Sequence, residues 1–163
     1  MRYFVRTTLA WIVLAFVGDT LIGPLISIAG IAPDFSVIAI VILALSEGAG
    51  AGVLGGFMLG LVQDLSHPNL LGLHALCKTL LGYAVGRLRG HLVYGLPLVE
   101  GLVVFTAVLL HDTLFLLVQS RLSDEAFLGP FFRQILPVAF YSSLVGMPLI
   151  RLADLLGILQ QEE

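Results

Sequence analysis

Apolar residues run through this chain in long blocks, broken by single charges or short polar clusters. The blocks lie at 8–29, 34–46, 48–64, 70–87, 96–119 and 134–156. A helix needs ~20 apolar residues to cross a bilayer. The first, fifth and sixth blocks meet that length alone. The second and third are shorter and are bounded by Asp34, Glu47 and Asp64. They read as a tight helical hairpin with its charges at the interfaces, or as a re-entrant pair shielded by other helices.

Composition fits lipid as the solvent. Of 163 residues, 58% are hydrophobic and 12% charged, and the mean hydropathy is +1.03. Soluble domains carry about 25% charged residues, and a small domain leaves much of its surface exposed. The expectation is an all-α membrane protein: a compact bundle of about six transmembrane helices forming a single polytopic domain over 1–163. Arg2 and Arg6 precede the first apolar run as in a signal peptide, but no small-x-small cleavage site follows, so we read an uncleaved first span. Cytoplasmic loops are enriched in Lys and Arg. Six spans with the N-terminus inside place Arg2, Arg6, Arg87, Arg89 and Arg151 inside, and only Arg121 and Arg133 outside. That distribution predicts an N-in/C-in topology. The net charge of −3 and the scattered basic residues give no footprint for nucleic acid.

The intramembrane charges are informative because each is costly. Lys78 lies midway along the fourth block, where a lysine costs ~2.5–3.5 kcal/mol unless it faces protein or water. His74, Lys78, Gly82 and Gly86 share one helical stripe, which is expected to be buried. Matched depth in antiparallel helices makes Asp19 the first candidate partner of Lys78, and Asp112 the second. Asp64 and Glu100 fall nearer the ends of their segments. A structural lock is the main reading of such a pair, and a proton- or ion-coupled role the lesser one.

Gly48, Gly52, Gly56 and Gly60 recur at every fourth position and continue to Asp64. Such a face admits another helix at close range. Packing within the bundle is the leading reading, and a partner-binding face the other. The segment 120–133 is the longest expected loop. Its Phe127, Phe131 and Phe132 beside charges suit either an ordinary amphipathic connector or a docking site. Pro24, Pro137 and Pro148 favour kinks.

Catalytic motifs are not found. There is no HExxH, GxSxG, phosphate-binding loop or dinucleotide fingerprint, so no enzyme and no cofactor are expected. Cys77 is the single cysteine and reads as a packing residue. His111 adjoins Asp112, but consecutive helical residues point to different faces, so no metal site is expected.

Three stretches together carry a resemblance. Pro33-Asp34 opens the second block. Gly56-Phe57-Met58-Leu59-Gly60-Leu61-Val62-Gln63-Asp64-Leu65 follows. Then comes Leu71-Gly72-Leu73-His74-Ala75-Leu76-Cys77-Lys78-Thr79-Leu80-Leu81-Gly82-Tyr83. In order and spacing they resemble the bacterial rod shape-determining family MreD. The resemblance implies a multi-pass protein of the bacterial cytoplasmic membrane. It implies a non-enzymatic scaffold of the cell-elongation machinery that supports peptidoglycan synthesis. The implied partners are MreC directly, and MreB, RodA and a penicillin-binding transpeptidase within a larger complex, all in contact with membrane lipid. The family is also similar to the six-helix substrate-binding subunits of energy-coupling-factor vitamin transporters. That likeness supplies the alternative, a small-molecule or lipid-binding subunit, for which Asp64, His67 and Asn69 offer a meagre outer pocket. Fold likeness alone does not transfer function.

Overall fold

The computed structural model describes residues 2–66, 70–91, 96–123 and 127–159. Among them the protein is helical, with an isolated bridge between Ile28 and Ile31 in place of any strand. Six principal helices follow in order: α1 (Arg2–Val17), α2 (Phe35–Glu47), α3 (Ala49–Asp64), α4 (Leu73–Leu88), α5 (Pro97–Ser123) and α6 (Leu136–Leu155).

Two of these helices are lengthened by π turns. Helix α1 continues through Gly18–Ile22 and a turn at Gly23–Leu25. Helix α6 is preceded by Leu128–Pro130 and the π turn Phe131–Ile135. Each π turn ends two residues before a proline, Pro24 or Pro137. A proline withholds one N–H from the helix, and a local change of register lets neighbouring groups absorb the loss. The second case corrects the expected loop at 120–133. Helix α5 runs to Ser123 and helix resumes at Leu128, because Pro130 is compatible with a helix's first turn.

Helix α2 is the axis of the bundle. Every residue from Ser36 to Ser46 is buried, and α2 touches all five other helices. A helix that is apolar all round belongs inside a protein. At Gly48 (φ +86°) the chain reverses, so α3 returns antiparallel along α2, with Gly52 against Ala44 and Gly55 against Leu43. Helices α3 and α4 then pack as the closest pair among the described residues.

Three segments are long and apolar enough to cross a membrane: Thr8–Leu25, Pro97–Arg121 and Leu128–Leu155. The 13 residues of α2 span only ~20 Å at ~1.5 Å per residue, and the 16 residues of α3 and of α4 reach ~24 Å. Among the described residues, span length is therefore met by three helices, those of the first, fifth and sixth blocks, and not by α2, α3 or α4.

Four of the arginines gather at one end of the bundle. Helix α1 runs antiparallel to α2, with Gly18 against Phe35. Gly86 near the end of α4 lies against Gly48 and Ala49. Arg151 of α6 reaches Glu100 of α5 at 3.6 Å. The first turns of α1, the C-terminal ends of α4 and α6 and the start of α5 thus share the end that holds Arg6, Arg87, Arg89 and Arg151.

Candidate functional site

The opposite end of α2 organises the polar residues. Asp34 is the N-cap: its Oδ1 accepts the Val37 N–H at 2.8 Å and the Ser36 hydroxyl at 2.6 Å. An N-cap carboxylate satisfies donors that the helix leaves unpaired and lies at the positive end of the macrodipole. The Asp34 N–H is in turn taken by Ser142 Oγ of α6 at 2.9 Å. One residue further on, the Phe35 N–H donates to Asp19 Oδ1 at 2.8 Å from the π turn of α1. The start of α2 is tied to α1 and α6 at once. Tyr141 Oη adds a bond to the Ile26 carbonyl at 2.7 Å, which fixes the α1–α2 connection to α6.

Lys78 enters this cluster from α4 and has no solvent exposure. Its ammonium donates to Ser36 Oγ and lies 3.8 Å from Asp34 Oδ1. The Gln63 side-chain amide of α3 also donates to Ser36 Oγ, at 3.2 Å. The ion-pair partner of Lys78 is therefore Asp34, which corrects the expected pairing with Asp19. The depth argument fails because α2 is short and sunk in the bundle, so its first residue lies level with Lys78. Asp112, the second candidate, is engaged elsewhere: its Oδ1 is 2.8 Å from His111 Nδ1. These consecutive residues of α5 do meet, contrary to expectation, because both side chains can bend toward the same side. His111 is 3% exposed.

Asp64 is fully buried at the end of α3. Its two carboxylate oxygens accept the N–H groups of His74 and Ala75, each at 3.0 Å. It caps α4 from a neighbouring helix, so it too lies at a helix N-terminus and takes no part in an outer pocket. His67 and Asn69, expected in that pocket, lie outside the described residues.

The glycine ladder faces inward. A side chain on Gly52 would strike the Gly82 backbone, one on Gly56 the Lys78 backbone, and one on Gly60 the backbone of His74 and Ala75. Gly82 is closed in return by Gly52. The face considered as a partner surface is thus filled by α4, because two helices with facing glycines approach until their backbones touch. Gly48 stands apart as the reversal between α2 and α3. Phe127, Phe131 and Phe132 form an aromatic group with ring centroids 5.8 Å and 5.3 Å apart, and Phe132 is 62% exposed.

A cavity of about 300 Å³ adjoins the polar cluster. His74, His111, Asp112, Phe115, Gln119 and Gln134 are among its lining residues. His74 stacks on Phe115 at 4.1 Å. Asp34, His111 and Asp112 each present one donor atom, and these atoms lie within 4.8 Å of one another. Nothing in the sequence pattern singles out Ser142, His111 or Gln63 as members of this cluster. For Asp34 and Ser36 a signal exists: the Asp34-Phe35-Ser36 run at the head of an apolar block is an N-cap signature.

A family model described as rod shape-determining protein MreD matches residues 1–156. The chain belongs to the MreD family. No curated protein and no solved structure matches it. In this MreD chain the two motif blocks are the two sides of one seam. Gly56, Gly60 and Asp64 of the first block rest on Lys78, Ala75 and His74 of the second. The spacing that carries the resemblance is therefore the contact register of α3 and α4. Membership makes the protein a rod shape-determining membrane protein, and its long apolar helices fit that assignment.

Proposed function

We propose that this chain is a non-enzymatic scaffold of the cell-elongation machinery. It binds MreC directly and reaches MreB, RodA and a penicillin-binding transpeptidase through the larger complex, in support of peptidoglycan synthesis. The observation that carries this reading is where the polar groups go. Asp34, Asp64, Asp19 and Lys78 cap helices or pair with one another, so the charged residues hold the bundle in one shape. A rigid body with apolar outer helices suits a protein that presents a surface in lipid, where association rests on close packing. With the glycine face occupied, the exposed Phe132 region is the docking surface that remains from the two first considered.

The same reading puts the protein in the bacterial cytoplasmic membrane as a multi-pass bundle, N-in/C-in, with a fold like that of the vitamin-transporter substrate-binding subunits. The gathering of Arg6, Arg87, Arg89 and Arg151 at one end supports that orientation. The short α2, α3 and α4 complete the six crossings with the three long helices around them. One observation favours a second reading, the binding of a small molecule or lipid: the 300 Å³ cavity with its stacked His74 and Phe115.

Cysteine crosslinking in native membranes tests the proposal, with Phe132→Cys at the aromatic end and Leu155→Cys at the other. MreC copurifying in mild detergent and crosslinking at Phe132→Cys alone is the expected result. Copurification with no adduct at Phe132→Cys rejects the surface. Absence of MreC, with a small molecule retained in equal amount, favours the second reading.

A further inference from the structure

A narrow apolar slot of about 200 Å³ opens between α4 and α5. Its floor is buried and consists of Leu81 and Val85 from α4 with Ala107 from α5. Its rims, Leu88, Leu102 and Leu110, are exposed. The end of α4 and the start of α5 share one end of the bundle, so Leu88 and Leu102 mark one mouth of the slot and Leu81 and Leu110 the other. The slot follows the helix axes for ~10–12 Å at ~1.5 Å per residue. Among the described residues that line it, Thr106 alone has a polar side chain.

The mouth at Leu88 lies where the arginines gather. Arg89 turns toward Gly48, at the reversal between α2 and α3. Arg87, on the other side of Leu88, is exposed. Glu100 and Asp154, two acids of this end, are engaged by Arg151 and leave the charge of Arg87 for another partner.

Width and charge together choose the occupant. A transmembrane helix is ~10–12 Å across and cannot enter so narrow a slot. Helix docking in lipid also favours small residues that let backbones approach, whereas leucines stand on these rims. An extended acyl chain is thin, apolar along its length and ends in a headgroup at the level of the helix termini. Basic sites between membrane helices take anionic headgroups, and a guanidinium matches a phosphate in two-pronged geometry.

We propose that the slot between α4 and α5 holds an acyl chain of one anionic phospholipid, whose headgroup is met by Arg87. The site is separate from the 300 Å³ cavity and needs no partner protein, so it stands or falls apart from the scaffold reading.

The test uses the full chain in mild detergent, stripped of endogenous lipid, and native mass spectrometry. Palmitoyl-oleoyl phosphatidylglycerol is the anionic probe, and phosphatidylcholine with the same chains is the neutral one. The expected result is one phosphatidylglycerol per chain, held at least tenfold more tightly than phosphatidylcholine. Ala84→Phe fills the slot from an exposed lining position and should weaken both lipids at least tenfold. Arg87→Gln should remove the preference for phosphatidylglycerol and keep the binding of phosphatidylcholine. Both positions are exposed, so both variants should elute from gel filtration as the parent does. Equal retention of the two lipids by the parent overturns the proposal, as does undiminished phosphatidylglycerol binding by Ala84→Phe. An unchanged preference in Arg87→Gln overturns it too. So does an Ala84→Phe variant that keeps the lipid and loses MreC, which would give the slot to a partner helix.

Discussion

Lys78 Nζ lies 3.8 Å from Asp34 Oδ1, which joins the second turn of α4 to the N-cap of α2 deep in the bundle. Lys78 is wholly withdrawn from water and the Asp34 side chain is 17% exposed, so the lysine depends most on the pair. Breaking a buried pair by removing one partner costs about 3–5 kcal/mol. We expect Lys78→Ala to lower stability by about that much. Lys78→Ala combined with Asp34→Asn should recover part of the loss, because no unpaired carboxylate remains at that position. Asp19→Ala removes a charge-assisted bond to the Phe35 N–H and should cost less, about 1.5–3 kcal/mol. Thermal unfolding of the purified variants checks the order. A coupling energy for Lys78 with Asp19 that exceeds its coupling with Asp34 would reverse the assignment.

Glycines of α3 fall into two classes. Gly56 is pressed on the Lys78 backbone, whereas a Cβ added at Gly50 would meet nothing within 4 Å. Gly56→Val has to push two backbones apart. It should cost ~3 kcal/mol or more, the upper end of overpacking. Gly50→Ala should stabilise by up to about 1 kcal/mol through helix propensity. A partner docked on the glycine face predicts another outcome: Gly56→Val would then fold normally and lose only the partner. Melting temperature together with partner capture separates the two.

Legibility in the sequence follows from how far each feature depends on local context. Helix positions are legible, since the hairpin ends at Glu47 and Asp64 coincide with charges that interrupt apolar blocks. The seam of α3 and α4 is legible as a glycine period, with burial against the bundle as its leading reading. The partner of Lys78 is not. Counting residues along each block gives depth only if every block starts at a membrane surface. Helix α2 starts inside the bundle instead, so the count misplaces Asp34 at an interface. The meeting of His111 and Asp112 with Asp34 is hidden for a related reason. It depends on which side of α5 faces α2, and an evenly apolar 27-residue helix carries little pattern to show it.

Glu100 is 4% exposed and Arg151, its partner at 3.6 Å, is 43% exposed. Arg151 also reaches Asp154 at 3.6 Å. Because the guanidinium is partly in water, its removal is softened by solvent screening. Arg151→Ala should therefore cost only about 1–2 kcal/mol, well below a fully buried pair. Glu100→Gln in the same background should restore much of it by removing the stranded charge. Chemical denaturation of the single and double variants gives the comparison. If Arg151→Ala alone matches the loss in Lys78→Ala, the two ends of the bundle carry equally buried pairs.

Asp64 ties the last turn of α3 to the first turn of α4 through two bonds of 3.0 Å. Both accept from backbone N–H groups that α4 itself cannot satisfy. Hydrogen bonds to a charged group are worth about 1.5–3 kcal/mol each. Asp64→Ala should therefore cost roughly 3 kcal/mol or more. Asp64→Asn keeps one carbonyl acceptor but turns an NH₂ toward a second donor, so it should fall between the parent and the alanine variant. The loss should be local at first. Amide exchange at His74 and Ala75 should accelerate in Asp64→Asn before the remainder of α4 changes, because the glycine seam below still holds α3 and α4 together. Uniform acceleration along α4 would show that the cap and the seam form one cooperative unit.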